Sequence, residues 1–92
     1  MTDISKHHAE DDPDVPLTDE EFERGRIAML VRSTRKATGL SQEAFAKAYQ
    51  IGLPALRNWE QGRRKPGETT ISLFKIIRAE PQRAREILLE RA

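Results

Sequence analysis

Ninety-two residues suffice for one small domain with one modest core. The absence of cysteine excludes disulfides and thiolate metal sites and suits a reducing cytoplasm. No apolar run approaches the roughly 20 residues that span a membrane, and the N-terminus lacks a basic-then-apolar secretory pattern. The net charge of +1 conceals an asymmetry: residues 1–23 hold nine carboxylates against Lys6 alone, a net −8, whereas residues 24–92 carry +9.

Residues 1–17 read as a disordered, acidic N-terminal arm ahead of an ordered unit over 18–92. Ile4 and Val15 are its isolated apolar groups, and His7-His8 lack the further ligands that a metal site requires. Such an arm on a basic body suits two partners of opposite charge, or serves only as a solvating tail. Signals of order begin at the arm's end: Thr18 and Glu21 have the spacing of a capping box, and Leu17 with Phe22 that of a hydrophobic staple. Asp19, Glu20 and Glu21 suit the first turn of a helix that runs to Thr38, with Gly39 as its left-handed stop. Ile27, Val31, Thr34 and Thr38 recur along one side of it, and its first two turns are expected to project beyond the body.

Ser41 is placed to cap a second helix, with Phe45, Ala46 and Tyr49 as its apolar face. Gln50-Ile51-Gly52 leaves room only for a turn. A third helix follows from Leu53 to Gln61, with Pro54 tolerable in its first turn and Leu56 and Trp59 facing inward. Gly62 stops it before the run Arg63-Arg64-Lys65. Thr69 or Thr70 is expected to start a fourth helix carrying Ile71, Phe74 and Ile77, and Pro81 a fifth carrying Ile87, Leu88 and Leu89. The reading is all-α with five helices. Residues 41–62 have the arrangement of a helix-turn-helix, two helices crossing steeply with the second presenting polar groups.

Leu40-Ser41-Gln42, Phe45-Ala46, Ile51, Leu56, Trp59-Glu60, Gly62 and Pro66, with Arg35 upstream, resemble the lambda-repressor-like (Cro/Xre) DNA-binding domain in order and spacing. The resemblance covers residues 26–80. In the style of residues 58–64 and the following segment from Pro66 to Pro81, the chain most resembles antitoxin regulators of bacterial RelE/HigB-type toxin–antitoxin operons. The resemblance implies an ion pair between Arg35 and Glu60, the alternative being two exposed groups without contact. It implies that Gln42 holds a DNA phosphate, and it places Asn58 at a base-reading position.

The residue chemistry adds to this. Arg57 and Asn58 suit guanine and adenine edges respectively, although Arg57 could equally turn to a phosphate. Leu53 and Pro54, at positions often polar in the family, can touch thymine methyls but cannot make bidentate hydrogen bonds, which leaves more to DNA shape. Arg63, Arg64 and Lys65 suit phosphates along the groove edge. Leu88 and Leu89 either form a dimer contact or close the monomer's own core.

No nucleophile–base set, phosphate loop or metal-ligand set is present, which argues against an enzyme and against any cofactor. The expected function is a cytoplasmic transcriptional repressor binding double-stranded operator DNA as a homodimer. The resemblance implies that it also serves as the antitoxin of a small basic toxin, contacted through Ile4, Val15, Leu17 and Phe22. The alternative is a stand-alone Xre-type repressor without a toxin partner.

Overall fold

The computed structural model describes residues 17–90. Five helices follow in order: α1 (Asp19–Thr38), α2 (Gln42–Ala48), α3 (Leu53–Glu60), α4 (Glu68–Ala79) and α5 (Pro81–Leu89), with no strand among the described residues. Ile4 and Val15 lie outside them, as does nearly all of the acidic arm.

The caps explain where the helices begin and end. Thr18 Oγ1 accepts from the Glu21 amide at 3.0 Å, and the Thr18 amide donates to Glu21 Oε1 at 3.0 Å, so α1 starts with a complete capping box. Gly39 ends it at φ 76°, a left-handed conformation that glycine adopts without a Cβ penalty. Ser41 Oγ accepts from the Ala44 amide at 3.1 Å and starts α2. The fourth helix departs from expectation. It begins at Glu68 behind an extended Gly67, not at a capping threonine, because Gly67 itself occupies the cap position and Glu68 then suits the positive end of the helix.

The turn between α2 and α3 is closed by an amide–carbonyl bond from Ile51 to Ala46 at 2.8 Å. Its left-handed residue is Gln50, at φ 58°, while Gly52 stays extended. Left-handed backbone is uncommon for a residue with a side chain, and here the side chain is engaged: Gln50 Nε2 donates to the Leu88 carbonyl at 3.1 Å. The helix-turn-helix is thereby tied to the end of α5.

One core joins all five helices. Ile27 and Val31 of α1 meet Phe45 and Ala46, with Tyr49 at the end of α2, then Leu56, Phe74, Ile77 and Ala84. Phe74 is its hub, stacked on Phe45 with centroids 5.7 Å apart and meeting Trp59 edge-on at 6.1 Å. Thr34 is fully buried but not orphaned, since its hydroxyl donates to the Leu30 carbonyl at 2.7 Å. The Tyr49 hydroxyl donates to the Pro81 carbonyl at 2.9 Å, linking α2 to the start of α5. At the other extreme, Leu17, just before the cap, and Phe22 in the first turn of α1 are each 61% exposed.

Phe74→Ala is expected to cost about 3–5 kcal/mol, the range for truncating a buried aromatic. Phe22→Ala should stay within about 0.5 kcal/mol, as for an exposed residue. Urea unfolding followed by circular dichroism measures both.

Candidate nucleic-acid interface

Besides its apolar packing, helix α3 is tied to α1 and α2 by polar contacts. Arg35 Nε donates to Glu60 Oε2 at 2.6 Å and Arg35 Nη2 to Glu60 Oε1 at 3.1 Å, a two-pronged ion pair. A third donor, Arg35 Nη1, reaches the Leu40 carbonyl at 3.0 Å. Gln42 Nε2, at the start of α2, also donates to Glu60 Oε1 at 3.1 Å. The carboxylate is 5% exposed, so three helices share one buried anion. Burial by itself pushes the Glu60 carboxyl up. Hydrogen bonds from Arg35 and Gln42, with the charges of Arg35 and Arg32, outweigh it and leave the group below its ordinary value of 4.5. The hydrogen bond to Glu60 raises Arg35 correspondingly.

Two further arginines of α1 grip the end of α3 through its backbone. Arg32 donates to the Glu60 carbonyl, and Arg24 Nε donates to the Gly62 carbonyl at 3.1 Å. Carbonyls at a helix C-terminus lack intrahelical donors, so cations there are favoured. Gly62, at φ 73°, turns the chain away, with its amide on the Trp59 carbonyl and the Arg63 amide on the Asn58 carbonyl. Arg63, Arg64 and Lys65 then stand exposed before the buried Pro66.

The residues singled out from the sequence divide into groups. Pro54 and Arg57 are exposed on α3, and Asn58 is half-buried. Leu53 packs partly against the core, so Pro54 is the freer apolar group of the pair. Gln42 turns its amide inward to Glu60, and its Oε1 faces Arg57 Nε at 3.4 Å. Arg57 Nη2 in turn donates to Glu43 Oε2 at 3.1 Å. On α5, Leu88 packs partly against the core while Leu89 is 72% exposed, so the two leucines have different environments.

Arg24, Arg32 and Glu43 are not apparent in a linear reading. Glu20 and Arg24 do carry the i,i+4 signal of a surface pair, and their ends lie 3.6 Å apart. The long-range partners of Arg24, Arg32 and Glu43 have no periodic signature. Glu20, Glu23 and Arg24 also line one shallow cleft with Trp59 and Arg63–Lys65, so the acidic start of α1 borders the basic loop. No helix among the described residues is long and apolar enough to cross a membrane.

The lowered Glu60 carboxyl fixes a pH dependence. Stability from a depressed carboxylate is fully present above its unfolded value and lost as pH falls through its folded value. Glu60→Gln should cost about 3–5 kcal/mol at neutral pH, because it leaves Arg35 without its counter-charge. The gap between the wild type and this variant should narrow as pH falls below 4.5, as measured by urea unfolding across pH.

A family profile described as Helix-turn-helix matches residues 31–74. The uncharacterized HTH-type transcriptional regulator YiaG of Escherichia coli is 28% identical over 58 residues, covering 63% of this chain and 60% of the relative. The chain thus spans about three fifths of the curated relatives it matches first. Antitoxin HigA-2 of Vibrio cholerae is 25% identical over 79 residues, covering 86% of this chain and 67% of the relative. No solved structure matches significantly. Residues 31–74 therefore match a helix-turn-helix model of the Cro/Xre type, and the chain is similar to an HTH-type transcriptional regulator.

Proposed function

We propose that this protein is a sequence-specific repressor that binds operator DNA as a homodimer and is also the antitoxin of a small basic toxin. The observation that carries the DNA-binding part is the mounting of α3. Its C-terminal carbonyls and buried Glu60 are held by Arg24, Arg32 and Arg35, while Pro54, Arg57 and the exposed Arg63–Lys65 run face outward. A helix so fixed enters a major groove without first having to be ordered, which lowers the cost of binding. Arg57 and Asn58 read base edges. Arg63, Arg64 and Lys65 meet phosphates, as does Gln42 at the start of α2. Exposed Ile87 and Leu89 on α5 are available to a second copy.

Two observations support the antitoxin role. The similarity to antitoxin HigA-2 covers 86% of this chain, well beyond the matched domain. The first 23 residues carry −8, and Leu17 before the helix cap and Phe22 in the first turn are open to solvent. A basic toxin would neutralise that charge while Ile4, Val15, Leu17 and Phe22 dock, so that binding and ordering are coupled. The similarity to YiaG, named only as a regulator, favours the competing reading of a repressor without a toxin. A neighbouring reading frame for a small basic protein separates the two.

With ~6–10 phosphate contacts per dimer, affinity for operator DNA should fall by ~10³–10⁵ between about 50 and 200 mM salt. Arg64→Ala should weaken binding to all duplexes alike and reduce the salt slope by about 1, as read by gel shift on the upstream intergenic DNA. No retardation at low salt would remove the DNA-binding claim. Deleting residues 1–16 should leave folding and DNA binding nearly intact and impair co-purification with the neighbour-encoded toxin. Undiminished complex formation would place the toxin site on the folded body.

A further inference from the structure

The guanidinium of Arg57 is gripped along one edge only. Its Nη2 donates to Glu43 Oε2 at 3.1 Å, and its Nε faces Gln42 Oε1 at 3.4 Å. These two nitrogens form the side edge of the planar fork. The end edge, formed by Nη1 with the remaining Nη2 hydrogen, has no partner among the described residues. An arginine presents two such edges, and either can span the O6/N7 pair of guanine.

The grip is anchored in the interior. Gln42 can offer its Oε1 to Arg57 because its amide nitrogen is committed to Glu60 Oε1 at 3.1 Å. Glu60 is fixed by the two-pronged contact from Arg35. A chain of oriented polar contacts thus runs from the buried anion to the side edge of Arg57. Glu43 ends that chain with the only opposite charge within reach of Arg57 among the described residues.

We infer that Glu43 is a positioning residue for base recognition, holding the side edge of Arg57 so that its end edge is offered to a guanine. This rests on the DNA-binding reading proposed above. A long cation beside a duplex otherwise meets phosphate first, and every sequence supplies phosphate equally. Glu43 neutralises Arg57 towards phosphate, and its own charge opposes close approach of the DNA backbone. An exposed pair shifts such an equilibrium by up to about fivefold, enough to bias one side chain. A guanine edge discriminates by about 5- to 150-fold and can be engaged without giving up the Glu43 contact.

The test begins with in vitro selection by the full chain from duplexes with about 20 randomised base pairs, the span of two half-sites one turn apart. Fluorescence anisotropy then measures the selected duplex and its single-base variants against wild type, Glu43→Gln and Arg57→Ala. Arg57→Ala should lose discrimination at one guanine. Glu43→Gln should relax the same position by about fivefold, tighten non-specific binding, and steepen the salt slope by about 1 as Arg57 turns to a phosphate. Unchanged discrimination at that guanine in Glu43→Gln would overturn the inference. So would an equal rise in affinity for all duplexes with Arg57 present or replaced by alanine, because Glu43 would then act by simple repulsion. No discrimination lost in Arg57→Ala would overturn it as well. If wild type enriches no sequence, the DNA-binding reading itself falls.

Discussion

A carboxylate inside a protein must be matched by hydrogen bonds and charge or it drives the structure apart. Glu60 sits 5% exposed at the end of α3, and its match comes from Arg35 on α1 and Gln42 on α2. The two helices of the helix-turn-helix and the helix behind them therefore have one relative placement in which this anion is satisfied. Apolar packing of Leu56 and Trp59 supplies much of the attraction, but it is non-directional. The ion pair contributes direction. It fixes the rotation of α3 about its axis, and with it which residues face outward.

The same constraint organises the surface. The end of α3 is held from behind by the donors of Arg24 and Arg32, and its outward face carries Arg57 beside the basic loop. Just across a shallow cleft lie Glu20 and Glu23 of α1. The hydrogen bond from Arg26 does most to hold the Glu23 carboxyl below its ordinary value, and Lys65 adds to it. The acidic first turns of α1 thus border the basic loop directly. In the proposed reading, a nucleic acid and a basic protein would approach adjoining surfaces of one small body.

Much of this was legible in the residues. Local chemistry acts over three or four positions, so Thr18 with Glu21, Gly39, Ser41 and Pro81 mark helix ends without knowledge of the fold. The periodic apolar sets on α1, α2 and α4 reach the core for the same reason. Gly67 escaped because a glycine cap leaves no side-chain signature and two threonines stood close by. The left-handed Gln50 escaped because its compensation, a bond to Leu88, spans 38 residues. The Glu43–Arg57 contact is equally opaque, since a pair of charges on different helices meets only once the crossing angle is known. On the candidate interface, residue types and helix membership could be read, but not the commitment of Gln42 to Glu60 or the partial burial of Leu53.

Two clusters of cations compete to be the nucleic-acid surface, and one titration distinguishes them. The first is Arg57 with Arg63–Lys65 on and after α3; the second is Arg26, Lys75 and Arg78, which line a groove between α1 and α4. Backbone amide shifts of the isotope-labelled full chain, followed at low salt as duplex selected by the protein is added, report which one meets DNA. The account predicts the largest changes at Gln42–Glu43, across Leu53–Asn58 and at Gly62–Lys65, with Arg26, Lys75 and Arg78 little affected. Changes centred on Arg26, Lys75 and Arg78, with α3 silent, would contradict it.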